Sequence, residues 1–335
     1  MNPKPLDPSR MTEAMETIVS GRAEDAAIEA FLLGLRAKGE TAEEVTAAAR
    51  VMRAHSLKLT KSYPDLVDTC GTGGDARHTF NVSTLAAITA AAAGVRIGKH
   101  GNRAVSSVCG SADLLEALGM PIDLTVPAIE RLIDETGFGF FFAPKFHPAT
   151  RFAMPARKRI RGKTIFNILG PLSNPAGAGI QLLGVYEERL VELLARALLQ
   201  LGTRRALVVH GKDGLDEITL CDETLIAEVR EGKIERRALS PEDCGLKRAA
   251  LSDFTVSSKE ECAETALQIL KGGKGPKSDL VNLNAGAALY LAGKARSIKE
   301  GVEAAVKISA SGAPFRKLEA IIGSAKKALA ESLSK

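Results

Sequence analysis

Apolar residues recur at helical spacing through roughly the first sixty residues. Met11, Met15 and Ile18 share one helical face, and a second helical segment runs from Ala23 to Gly39. Thr41 and Glu44 then form a capping box ahead of Val45, Ala48, Ala49 and Met52. Beyond Pro64 short apolar runs alternate with helical periods. Residues 66–69 read as a strand, a helix starts near Ser83, a strand covers 95–98, and a helix starts at Thr125 and closes at Gly137. An apolar strand over 138–143 follows, then a strand over 181–185, a helix over 187–201 and a strand over 206–210. This alternation predicts a mostly parallel sheet covered by helices. Residues 224–230 and 233–238, joined at Glu231-Gly232, predict an antiparallel hairpin at the sheet edge, and about the last eighty residues return to helix. The expected fold is therefore α/β. A small all-helical domain spans residues 1–65, with helices from about 160–180 as candidates to join it. A large α/β domain spans 66–335, its mostly parallel central sheet flanked by helices.

Composition narrows the class. Of 335 residues 45% are apolar and 25% charged, but only 4% are aromatic and Trp is absent, so aliphatic residues and alanine must fill the core. A net charge of +5 from 45 basic and 40 acidic residues lacks the dense basic stripe of a nucleic-acid binder. It suits an enzyme that draws anionic substrates into local cationic pockets. The cysteines Cys70, Cys109, Cys221, Cys244 and Cys262 form no C-x-x-C pair, and the histidines form no H-E-x-x-H. Neither zinc nor a disulfide framework is expected, and a reducing cytoplasm is the expected compartment. The N-terminus lacks the apolar core of a signal peptide. The apolar run over 85–95 is shorter than the ~20 residues a bilayer requires and reads as a buried helix.

Candidate chemistry gathers in separate segments. Gly71-Thr72-Gly73-Gly74-Asp75 lies between a strand and a helix, where α/β proteins bind ligands. Its glycines allow a sharp turn and close approach of backbone amides to an anion. Asn81-Val82-Ser83-Thr84 opens the following helix, whose free N–H groups favour phosphate. The loop has neither the Walker A ending nor the dinucleotide spacing, and alone it serves equally as a tight connection. Lys99-His100-Gly101-Asn102-Arg103 reads as a cationic turn after a strand: a point charge, a planar fork and two polar side chains. Ser106, Ser107 and Ser111 add hydroxyls before a helix over 112–118. Far downstream, Asp216 and Glu217 within Gly-Leu-Asp-Glu are adjacent carboxylates. Alone they read as an ordinary surface pair, and beside the other two segments they become candidates to hold magnesium together with substrate phosphates.

Together these segments resemble the anthranilate phosphoribosyltransferase family. The matching text is GTGGD at 71–75, NVST at 81–84, KHGNR at 99–103, GSAD at 110–113, HPA at 147–149, TIFNILGPLSNP at 164–175 and GLDE at 214–217. The match is close from about residue 65 to 220 and looser toward both ends. The resemblance implies a cleft between the two domains, a cytoplasmic homodimer and a role in tryptophan synthesis. It implies that Gly71, Gly74, Asp75, Thr79, Asn81, Val82, Ser83 and Thr84 contact phosphoribosyl pyrophosphate. Lys99, His100, Gly101, Asn102, Arg103, Ala104, Val105, Ser106, Ser107 and Ser111 complete that site. Gly71, Asn102 and Arg157 meet anthranilate, and Ser83, Asp216 and Glu217 hold magnesium, two ions per site. No covalent nucleophile is implied, and Lys99, Asp216 and Glu217 support the departing diphosphate. Positioning of two substrates supplies the remaining catalysis. His147 either lines the anthranilate path or makes a structural His-Pro turn.

The chain departs from the family pattern at Val108, at Cys109 and over residues 159–163, which carry extra charge. Two other readings stand beside this one. A pyrimidine nucleoside phosphorylase of the same fold would take phosphate and a nucleoside. A non-catalytic relative would bind nucleic acid through the basic residues 157–163.

Overall fold

The computed structural model describes residues 4–104 and 107–334. Three helices open the chain: α1 (Pro8–Val19), α2 (Asp25–Lys38) and α3 (Ala42–Ala54). The Asp7 carboxylate caps α1 by accepting from the Ser9 and Arg10 N–H groups, and Pro8 occupies the first turn, where its missing N–H costs nothing. The capping box at Thr41 and Glu44 is present. Glu44 is fully buried and also pairs with Lys38 at 2.6 Å, which ties the end of α2 to the start of α3.

The remaining elements alternate. In order they are β1 (Val67–Gly71), α4 (Val82–Ala92), β2 (Ile97–Gly101), α5 (Ser111–Ala117), α6 (Val126–Thr136), β3 (Phe138–Phe142) and the short α7 (Ala143–Phe146). After a 3-10 turn come α8 (Met154–Ile160), α9 (Ile165–Leu172), β4 (Ile180–Gly184), α10 (Arg189–Gln200) and β5 (Arg205–Gly211). The hairpin β6 (Thr224–Arg230) and β7 (Lys233–Leu239) precedes α11 (Lys259–Leu270), α12 (Pro276–Leu291), α13 (Ile298–Ala310) and α14 (Ala313–Leu333). Among the described residues the sheet has seven strands in the order β3-β2-β1-β4-β5-β6-β7. β1 to β5 run parallel, and β6 and β7 add antiparallel at one edge. Strand order reverses between β1 and β4, which opens a crevice beyond their carboxyl ends.

Two apolar layers sandwich the sheet. One face packs on α4, α6, α12 and α14, with the alanine-rich α4 buried on nearly all sides. The other packs on α10, α9, α8 and the N-terminal helices, where Met11, Met15, Ile18, Val45 and Met52 share a core with Ile165, Phe166 and Leu169. The helical layer therefore draws residues from both ends of a long sequence interval. No helix among the described residues is long and apolar enough to cross a membrane. The described cysteines are all free.

Strand boundaries differ from the sequence expectation at one functional point. β2 covers Ile97–Gly101 rather than 95–98, because it pairs in register with β3 from Ile97 opposite Phe138 to Gly101 opposite Phe142. Lys99, His100 and Gly101 thus belong to the strand and not to a turn after it. Ladder pairing overrides the weak local strand preference of a Gly-Lys-His-Gly run.

Candidate functional site

The crevice is built on strand ends that carry no side chains. A β-carbon on Gly71 would lie 2.6 Å from the Asp216 Oδ2, and one on Gly184 would sit on the Asp216 carbonyl oxygen. Glycine at both ends lets the 211–217 loop lie flat across β1 and β4. Gly73 and Gly74 then turn the chain with φ of 61° and 79°, in the left-handed region that favours glycine. The Gly73 N–H donates to Asp216 Oδ2 at 2.9 Å. Thr72 anchors the loop from below: its N–H donates to the Gly184 carbonyl at 2.9 Å, and its hydroxyl accepts from the Tyr186 N–H at 3.1 Å.

α4 starts directly beneath this loop. The Asn81 side chain accepts from the Thr84 N–H at 3.1 Å, while the Val82 and Thr84 side chains are buried, so the helix start presents backbone and the Ser83 hydroxyl. Lys99 is fully buried, yet its ammonium donates to the Thr69 carbonyl and, at 3.0 Å, to Ser83 Oγ. Burial pushes its pKa down, opposed by the neighbouring carboxyls of Asp68, Glu217 and Asp216. Desolvation raises the Asp216 carboxyl to about 7, helped by Asp75 and opposed by the Gly73 N–H. Glu217 is pushed well above its ordinary range by desolvation, Asp216 and Asp75, with Lys99 and the Ser83 N–H opposing. Carboxyls crowded this closely, with Lys99 as the cation acting on them, favour a further cation beside them.

Gly71, Gly74, Asp75, Ser83, Lys99, Asp216 and Glu217 therefore converge from four segments. Among the described residues no three His, Cys, Asp or Glu side chains form a metal cage by themselves. The donors present are all oxygens: two adjacent carboxylates and the Ser83 hydroxyl. That set fits magnesium completed by substrate oxygens and does not fit a soft metal.

His100 separates from this group. Successive strand residues face opposite ways, so its ring lies under the helical layer, where Nδ1 meets the Gly170 carbonyl at 3.1 Å. Its ring centroid is 5.0 Å from that of His147, and the Nε2 atom of each is buried without a partner. Burial pushes their pKa values down to about 3 and about 4. Both are neutral imidazoles, and His147 is an interior residue. The His100 N–H donates to buried Asp68 at 3.2 Å, and Asn174 Nδ2 donates to the same carboxyl at 2.8 Å. Burial raises Asp68 to about 6.

The rest of the cationic segment is exposed. Arg103 forms an ion pair with Glu116 and lies over the Phe142 ring at 5.6 Å. The Asn102 carbonyl accepts from the Ala112 N–H at 3.1 Å and the Ser111 hydroxyl at 3.3 Å. The Ala104 N–H donates to Asp113 at 2.7 Å. Ser107 is exposed and Thr79 is half-buried in a bridge with Thr255. Val105 and Ser106 lie outside the described residues.

Arg157 is half-buried on α8, 5.2 Å over the Phe166 ring, with burial pushing its pKa down and with no carboxylate partner among the described residues. Its neighbour Arg159 pairs instead with Glu29 at 2.8 Å and Asp25 at 3.1 Å. Lys163 rests on the Tyr186 ring. Arg157, Arg159 and Lys163 of the basic run thus face separate partners: the Phe166 ring, Glu29 with Asp25, and the Tyr186 ring. Sequence reasoning missed Lys163, Asp68 and Asn174 as parts of this region. A charged residue inside the predicted strand 66–69 was the available signal for Asp68.

Comparison with known proteins follows the same division. The pattern described as "Glycosyl transferase family, helical bundle domain" matches residues 1–56, and "Glycosyl transferase family, a/b domain" matches 63–315. Anthranilate phosphoribosyltransferase from Alkalilimnicola ehrlichii is 50% identical over 317 residues, 95% of this chain and 94% of that protein. The chain belongs to the anthranilate phosphoribosyltransferase family. The crystal structure of the family member from Thermus thermophilus superposes with a TM-score of 0.90 at 44% identity, covering 96% of this chain and 97% of that one. The Saccharomyces cerevisiae member, described in complex with phosphoribosyl pyrophosphate and magnesium, superposes with a TM-score of 0.88 at 29% identity, covering 96% and 94%. Membership of this family sets aside the nucleoside phosphorylase reading.

Proposed function

We propose that the chain transfers the phosphoribosyl group of phosphoribosyl pyrophosphate to the anthranilate amine in tryptophan biosynthesis. The products are N-(5-phosphoribosyl)anthranilate and diphosphate. The observation that carries the reading is the meeting of the Gly71–Asp75 loop, Ser83, Lys99 and the Asp216-Glu217 pair at the crevice between β1 and β4. Backbone amides at Gly73 and Gly74 and at the start of α4 receive phosphate oxygens, and Lys99 lends its charge from beneath. Ser83, Asp216 and Glu217 would hold magnesium, two ions in this reading, and the metal would supply charge neutralisation for the diphosphate leaving group. Arg157 and Asn102 orient anthranilate, Arg157 by a bidentate pairing with its carboxylate. The aromatic amine is neutral near pH 7 and needs no strong base, which agrees with the lack of an assigned nucleophile. A cytoplasmic homodimer and a helical unit that includes α8 and α9 belong to the same reading.

Loss of anthranilate fluorescence on mixing with phosphoribosyl pyrophosphate and magnesium is the direct test. Unchanged fluorescence with stoichiometric enzyme would overturn the reading. Product formed from a nucleoside and phosphate in its place would favour a phosphorylase.

A further inference from the structure

Lys163 stands at the turn between α8 and α9, outside every role assigned above. Its Nζ lies 3.2 Å from the Tyr186 ring centroid. Its Cε is so close to the glycine loop that a β-carbon on Gly74 would lie 3.0 Å away, with Nζ at 3.6 Å. Glycine at position 74 therefore seats this lysine as well as turning the chain. The platform beneath the ammonium is fixed to the same loop, since the Tyr186 N–H donates to Thr72 Oγ1 at 3.1 Å. From the other side the turn abuts α2: a β-carbon on Gly162 would meet Arg36 Nη1 at 2.8 Å. Lys163 thus reaches from the helical layer to the tip of the phosphate loop. Glu187, Asp216 and Asp75 act on it through space, without an ion pair among the described residues.

We propose that the Lys163 ammonium is a diphosphate ligand of this enzyme, supplied from the helical layer to the tip of the glycine loop. It complements Lys99, which serves the strand that enters the loop. The assignment rests on the reading above that a diphosphate lies against Gly73–Asp75. An ammonium on a flexible four-carbon stem is a mobile point charge suited to a phosphate oxygen. An aromatic face holds it in the free enzyme without neutralising it. The arrangement also links occupancy of the phosphate site to the position of the helical layer, because the same turn touches both Gly74 and Arg36.

The test compares the parent with Lys163→Met, which keeps the stem over Gly74 and Tyr186, and with Lys163→Arg, which keeps the charge. Inorganic diphosphate with magnesium is titrated calorimetrically into each full-length protein, and KM is measured for both substrates. Lys163→Met is expected to weaken diphosphate binding, and to raise KM for phosphoribosyl pyrophosphate, by about tenfold to a hundredfold. KM for anthranilate should stay at the parent value, and Lys163→Arg should retain most of the diphosphate affinity. Parent-like diphosphate binding by Lys163→Met overturns the inference, as does an equal rise in both KM values. If Lys163→Met is poorly folded, Lys163→Gln takes its place under the same criteria. A parent that binds diphosphate through Lys163 but leaves anthranilate unreacted would sink the acceptor assignment alone. A parent that forms product while the Met variant binds normally would sink this inference alone.

Discussion

Asp216 and Glu217 sit where carboxylates prefer to hold protons, because desolvation and the neighbouring Asp75 raise both above their ordinary range. A cation must displace those protons. Magnesium affinity should therefore rise as pH climbs through about 7, the Asp216 value, with proton release on binding. Calorimetry in buffers of different ionisation enthalpy measures that release, and an affinity indifferent to pH would contradict the assignment. Replacing the pair by Asn and Gln should abolish the magnesium dependence and reduce turnover at least about a hundredfold, by analogy with the loss of other preorganised charge stabilisers. Arg157→Ala should raise KM for anthranilate by about tenfold to a hundredfold, the range for one charged hydrogen-bonding contact. KM for phosphoribosyl pyrophosphate should hardly move, and equal losses for both substrates would refute the role. The fold does bring Lys99, Asp216 and the glycine loop near one another. In the sequence they were singled out only by their combination, since each segment alone had an ordinary reading. Lys163 was not, because its meaning comes from Gly74 and Tyr186, which only the fold brings near.

At the scale of single elements the glycines decide most. Gly184→Ala would drive a methyl group into the Asp216 carbonyl oxygen, so the 211–217 loop must shift. Overpacking of this kind costs about 1–3 kcal/mol, and urea unfolding together with the activity assay should show stability and turnover falling together. A fully active Gly184→Ala enzyme would mean the loop position is immaterial. Helices and strands were legible from periodicity, as α3 with its capping box and the β6–β7 hairpin illustrate. The extent of β2 was not. A lysine, a histidine and two glycines carry little strand preference, and only pairing with Phe138–Phe142 draws them into the ladder. That pairing sends Lys99 toward Thr69 and Ser83 and His100 to the helical side, a distinction no turn would impose.

At the scale of the whole molecule, the rings of His100 and His147 are buried side by side against the helical layer. Their pKa values lie at about 3 and about 4, below the ordinary 6.5. The unfolded chain therefore binds protons that the native state refuses, and this contribution to stability is lost as pH falls from 6.5 toward 4. His147→Phe should flatten the acid limb of the stability profile, as read by urea midpoints across that range. An unchanged slope would show that the rings are solvated. Phosphoribosyl pyrophosphate with magnesium should raise the unfolding temperature, since binding at a hundredfold above Kd contributes about 2.7 kcal/mol. The α/β class and the helical start of the chain were readable from alternation alone. Helices from about 160–180 were already candidates to join that start. The fold adds the earlier α8 to α9 and sets both beside α1 to α3, which no apolar stripe alone could assign.

The reversal of strand order between β1 and β4 also has a consequence in time. The glycine loop leaves the ribosome early, but the strand that flanks it and the Asp216 loop that crosses it are made much later. At ordinary rates of synthesis the interval is on the order of ten seconds. Throughout it the glycine loop lacks the Asp216 carboxylate to which the Gly73 N–H donates. The crevice therefore closes only when β4 and the Asp216 loop slot in beside β1, so its two walls come from segments that meet late in synthesis.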